Sequence, residues 1–87
     1  MWWVYILKCR NNTLYTGITN NIERRIKEHK SKKGGHYTST FDPVELVWKE
    51  NHDNRSSALK RERQIKGWTR KKKEALIKGD FRLLKRL

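Results

Sequence analysis

The sequence predicts an α+β fold: a small three-stranded, mainly antiparallel sheet flanked by helices, in the order β-β-α-β-α-α. Three observations predict it. Residues 3–18 hold two runs rich in aromatic and β-branched side chains, separated by the turn-forming Arg10-Asn11-Asn12. A third run of that kind, residues 44–50, comes only after a helical stretch. Beyond it, capping residues, spaced apolar positions and glycine stops follow one another as they do in short helices. A hairpin joined by a third strand, with helices packed against it, is the economical arrangement for that order.

The first strand is predicted over residues 3–7 and the second over residues 13–18. Gly17 inside the second run signals a bulge or a close backbone approach. Asn20 then reads as a helix N-cap, with Glu23 three residues on as its capping-box partner. Ile22 and Ile26 form the apolar stripe of this helix, which ends near Lys30. Arg25 and His29, four apart, share a face. Residues 31–35 read as a flexible basic loop and residues 36–40 as irregular. Pro43 opens the third strand, where Val44, Leu46 and Trp48 alternate with Glu45, Val47 and Lys49.

Residues 53–56 offer several N-caps for a second helix over residues 56–66, stopped by Gly67. Ala58, Leu59 and Ile65 mark its buried side. Thr69 caps a third helix over residues 70–78, which Ala75, Leu76 and Ile77 anchor and Gly79 ends. Phe81, Leu83, Leu84 and Leu87 form a short amphipathic tail.

The chain has 87 residues, which predicts one domain over residues 1–87 with one small core and no cleft between domains. Hydrophobic residues make up 34% and charged residues 36%, yet four Trp, three Tyr and two Phe argue against disorder. No apolar run approaches the ~20 residues of a membrane-spanning helix. Lys8 and Arg10 cut short the N-terminal apolar stretch, so no signal peptide is expected. The single Cys9 excludes an internal disulfide and a multi-cysteine zinc site, and fits a reducing cytoplasm.

The formal net charge is +13, and it is unevenly spread. Residues 55–87 carry thirteen bases against three acids, whereas residues 36–54 carry one base against four acids. Solubility needs far less charge than this, and the basic stretches lack the apolar face of a membrane-surface helix. A polyanion, by default nucleic acid, is the expected partner.

One residue resists a purely structural account. Glu62 falls in the middle of the apolar stripe of the second helix, among Lys60, Arg61, Arg63 and Lys66. A carboxylate on the core side is costly unless paired or bound to a cation. An ion pair with a neighbouring base is one answer. On a phosphate-binding protein a divalent cation is the other. Taken singly, Tyr5 and Tyr15 read as core aromatics, Arg25 as a surface cation and His29 as a solvated helix residue. His36 and His52 show no partner spacing and read as surface residues.

Together these residues are ordered. Trp3-Val4-Tyr5 is followed, ten residues after Tyr5, by Tyr15-Thr16-Gly17. Arg25 and His29 come next, then Glu62 within residues 58–66. The set resembles a GIY-YIG nuclease domain over about residues 2–78, most like the small stand-alone bacterial members. Trp3 and Val4 stand where the first name motif has Gly and Ile, and Thr16 stands where the second has Ile. The resemblance implies a divalent-metal-dependent endonuclease that hydrolyses DNA phosphodiester bonds in repair or recombination. Glu62 would hold Mg²⁺ or Mn²⁺, and Arg25 would sit on the scissile phosphate. Tyr5 would act as general base or orient the water, Tyr15 would position water or phosphate, and His29 would assist proton transfer.

Lys60, Arg61, Arg63, Lys66, Arg70, Lys71, Lys72 and Lys73 would track the backbone of DNA, branched or nicked, with RNA also open. Better-known members carry a second DNA-binding domain, of which this sequence shows no sign. The alternative is a catalytically silent basic module that binds DNA or RNA on the same fold. A ribosomal-type basic protein is disfavoured by the tyrosine, arginine and glutamate set.

Overall fold

The structure is a computed structural model and describes residues 1–31 and 43–87. The order is β1 (Trp2–Cys9), β2 (Leu14–Thr19), α1 (Ile22–Ser31), β3 (Pro43–His52), α2 (Arg55–Lys66), α3 (Arg70–Lys78) and α4 (Phe81–Arg86). It is the expected α+β fold with the C-terminal tail closed into a fourth helix. Of the loop expected at residues 31–35, Ser31 is instead the last residue of α1, and its other residues, with the irregular residues 36–40, lie outside the described residues.

The sheet runs β2-β1-β3, antiparallel throughout. β1 is central because its sequence is the one run with no polar residue from Trp2 to Leu7, and a central strand is buried on both faces. Val4 and Ile6 point to one face and join Ala58, Ile65 and Leu76 of α2 and α3 in the core. Tyr5 and Leu7 point to the other face and are equally buried. The hairpin closes through Asn12, whose φ of 70° is left-handed. Asparagine tolerates that region better than most side chains. The Asn12 N–H donates to the Cys9 carbonyl at 2.9 Å.

The N-cap of α1 stands one residue later than expected. Thr19 and Asn21 bond each other reciprocally, Thr19 Oγ1 donating to the Asn21 carbonyl at 3.2 Å and Asn21 N–H to Thr19 Oγ1 at 3.1 Å. This turn carries the chain past Asn20. Asn21 Oδ1 is the cap and accepts from Arg24 N–H at 3.0 Å, while Asn20 accepts from the Arg24 side chain. Glu23 is therefore not the capping-box partner. The caps of α2 and α3 are as expected. Asn54 accepts from Ser57 N–H and Thr69 from Lys72 N–H, and Gly79 ends α3 at a φ of 74°.

The alternation expected in β3 is broken. Ile6 pairs with Trp48 but Leu7 pairs with Leu46, so Val47 is extra and the strand bulges there. Trp48 and Val47 pack on the Val4 and Ile6 face, whereas Leu46 follows Leu7 to the other face. The tail also departs from expectation. Leu84 packs on the core, but Phe81 and Leu87 are exposed. Among the described residues, no helix is long and apolar enough to cross a membrane.

Candidate active site

The register places Tyr5 opposite Gly17 and Leu7 opposite Tyr15, so both tyrosines stand on the same face of the hairpin. Their rings are 6.2 Å apart. Gly17 is what permits this. A Cβ at position 17 would lie 2.6 Å from Tyr5 Oη and 3.1 Å from the Tyr15 ring. The Tyr5 phenol lies across bare backbone where any side chain would lift it. Of the two meanings offered by the sequence, close approach is the one found.

α1 brings its Arg25 and His29 face onto these rings. Arg25 Nε–H donates to Tyr5 Oη at 3.2 Å, and Tyr5 Oη lies 3.3 Å from His29 Nε2. The His29 ring meets Tyr15 edge-on at 5.2 Å. His29 is buried, not solvated. Burial pushes the Tyr5 phenol up to about 12, against the opposing pull of Arg25 and with a push from Tyr15. The hydrogen bond to Tyr5 holds the Arg25 guanidinium still further above its ordinary range, against its own burial. His29 is held below its usual value by burial first and the nearby Arg25 charge second, with Glu28 pulling weakly the other way. At neutral pH the cluster is thus one phenol, one cation and one neutral imidazole.

Glu62 lies on α2 with its side chain 12% exposed, and its ion pair is with Lys66 at 3.6 Å. Among the described residues, the hydrogen bonds of Tyr5 and Arg25 do not extend to it. Among the described residues, no three His, Cys, Asp or Glu side chains converge into a metal cage. A lone, nearly buried carboxylate does not suit zinc or a calcium loop. It does suit Mg²⁺ or Mn²⁺, which keep several waters and draw further ligands from a substrate phosphate.

The other predicted bases divide. Arg61 lies over the Trp68 ring and bonds Glu50 and Gln64. Arg70 bonds the Asn12 carbonyl and Glu74. Lys72 lies over Trp68 and Lys66 pairs with Glu62. Lys60, Arg63, Lys71 and Lys73 make no ion pair among the described residues. The sequence missed His52, which is not a partnerless surface residue. Its Nε2 meets Glu50 at 2.8 Å and its Nδ1 meets Ser57 Oγ at 2.7 Å. Only the spacing of Ser57, Lys60, Arg61 and Gln64 along one helix face could have pointed there.

A family model described as the GIY-YIG catalytic domain matches residues 1–75. A UPF0213 protein of Natronomonas pharaonis is 49% identical over 75 residues, 86% of this chain and 88% of the relative. Another, from Staphylococcus haemolyticus, is 47% identical over 75 residues, 86% of this chain and 92% of its own length. The solution structure of a UPF0213 protein from Bacillus halodurans superposes with a TM-score of 0.58 at 39% identity, over 90% of this chain and 84% of that one.

Proposed function

The chain belongs to the GIY-YIG family, and from that membership we propose that it is a divalent-metal-dependent endonuclease acting on DNA. The observation that carries the reading is the short chain of groups from Arg25 Nε through Tyr5 Oη to His29 Nε2. Arg25 donates into the phenol oxygen, and in the His29 tautomer that carries its proton on Nδ1 the phenol's own proton is directed to Nε2. Tyr5 alone, with a pKa near 12, is too weak an acid to be ionised at neutral pH. Coupled to His29 it becomes a relay. It accepts a proton from the attacking water on its oxygen as it passes its own to Nε2.

The hydroxide so formed attacks phosphorus in line with the leaving oxygen. The P–O bond breaks, the departing oxygen takes a proton from solvent to become an alcohol, a phosphate monoester is left, and His29 returns its proton to solvent. Arg25 spends one N–H on Tyr5, and its remaining donors offer a fork to the oxygens that gain charge. Tyr15 packs against His29 and Tyr5 and fixes both rings. Glu62 would hold the Mg²⁺ or Mn²⁺, which supplies charge stabilisation at the phosphate. Glu62 would then exchange its pairing with Lys66 for the cation.

Plasmid nicking tests this. Wild type with Mg²⁺ or Mn²⁺ is expected to nick supercoiled DNA and to stop in EDTA. Glu62→Gln and Arg25→Ala should each lose at least about 100-fold in rate, the scale of losing one preorganised charge-stabilising group, while still binding DNA. A wild type that binds DNA but nicks no substrate returns the chain to the silent binding module.

A further inference from the structure

We propose that the hollow between the end of β3 and the first turns of α2 anchors a single phosphodiester of the DNA backbone, at a point remote from the bond being cut. The hollow measures about 420 Å³ and is lined by His52, Ser57, Lys60, Arg61 and Gln64. The identity of the ligand as DNA rests on the nuclease reading. The site itself rests on separate geometry.

Ser57, Lys60, Arg61 and Gln64 stand at i, i+3, i+4 and i+7, so α2 presents them on one face. That face is roughly 150° around the helix from Glu62, at 100° per residue. The buried Ala58 and Ile65 seam runs between them. The hollow therefore opens on the flank of α2 beside β3, and Glu62 stands on the other flank. A phosphate held here is not the one that meets Glu62.

The walls are fixed before any ligand arrives. Glu50 Oε1 takes Arg61 Nε–H at 3.2 Å and lies 2.8 Å from His52 Nε2. His52 Nδ1 is tied to Ser57 Oγ at 2.7 Å. Arg61 Nη1 donates to Gln64 Oε1 at 2.6 Å, and the guanidinium is 5.3 Å from the Trp68 ring centre. With Oε1 occupied, the Gln64 amide N–H groups remain as donors for a ligand. An arginine already held by Glu50, Gln64 and Trp68 loses little freedom on binding. Lys60 makes no ion pair among the described residues and completes the set.

Lys60, Arg61 and Glu50 together leave one positive charge. That matches one phosphodiester, not a metal ion or a dianion. The thirteen bases of residues 55–87 extend the positive surface along the same helices. A regularly charged strand fits that surface better than an acidic peptide.

The test is binding of a short duplex by fluorescence anisotropy in EDTA, where no cleavage occurs, over about 50 to 200 mM KCl. Lys60→Gln is expected to weaken binding several-fold at the low-salt end. It should also reduce the slope of log K against log salt by about one, the signature of one lost phosphate contact. Lys60→Arg should keep the slope. In ¹⁵N spectra, the Gln64 side-chain amide and the Arg61 Nε–H should shift on adding DNA. An unchanged slope in Lys60→Gln, or Gln64 and Arg61 signals indifferent to DNA, overturns the proposal. Inorganic phosphate shifting those signals at far lower concentration than DNA phosphate assigns the hollow to a small anion and overturns it too. The nuclease reading is judged apart, by nicking. If Glu62→Gln stops nicking while Lys60→Gln leaves the slope intact, the anchor alone fails. A changed slope in a protein that never nicks supports the anchor on a binding module.

Discussion

His29 shows how one buried ring ties function to stability. It is held below its ordinary value by burial and by Arg25. Just below pH 6.5 the folded protein therefore binds fewer protons at this ring than the unfolded chain does, and stability falls as pH falls through that window. Tyr5 acts at the other end. Its pKa is raised to about 12, so the folded state retains a proton that the unfolded chain releases from about pH 10 upward, and stability falls as pH rises. The expected outcome is a urea midpoint that drops between pH 7 and pH 5 in wild type and drops less in His29→Gln. Equal drops would show that the ring titrates as it does in water. The spacing in sequence made Arg25 and His29 legible as a pair, because a helix places i and i+4 together. The tyrosines were legible as hairpin partners, and Gly17 as a close approach. The state of charge was not legible, because it comes from burial, and burial belongs to the assembled fold. Thr16, where the name motif has Ile, likewise has a hydroxyl buried without a partner among the described residues.

Elements were legible wherever a local side chain decides them. Asn54, Thr69 and Gly79 act within their own turns, so the ends of α2 and α3 could be read directly. The start of α1 was missed by one residue because two adjacent asparagines are equally good caps. The choice between them was made by Thr19, a strand residue. This gives a clean comparison. Asn21→Ala should cost about 1 kcal/mol, seen as a melting temperature lower by roughly 4–8 °C in a domain of this size. Asn20→Ala, outside the cap, should change it by less than about half as much. The reverse order would return the cap to Asn20. The bulge at Val47 was not legible at all, since register against β1 decides it and no residue nearby signals it. Glu50, His52, Ser57 and Arg61 were hidden for the same reason. They lie on two elements, and only the packing of α2 on the sheet brings them together.

Charge is a property of the whole molecule. A net +13 is carried on a body of 39 × 30 × 18 Å. At about 10 mM salt the screening length is near 30 Å, longer than the thin axis, so the bases on opposite faces repel one another. At about 150 mM it is near 8 Å, and only neighbours interact. Ion pairs respond in the opposite sense, weakening as salt is added. The exposed pairs Arg24–Glu28 and Arg70–Glu74 are worth only about 0.3–0.5 kcal/mol each, too little to outweigh the repulsion of the surplus. The fold should therefore gain stability from salt. Raising KCl from about 10 to 150 mM should raise the melting temperature by several degrees. At low salt, a short DNA duplex should raise it further by binding the folded state. A melting temperature that is flat or falls with KCl would mean that local pairs outweigh the net charge. In that case the excess of bases would not be the strain that a polyanion relieves.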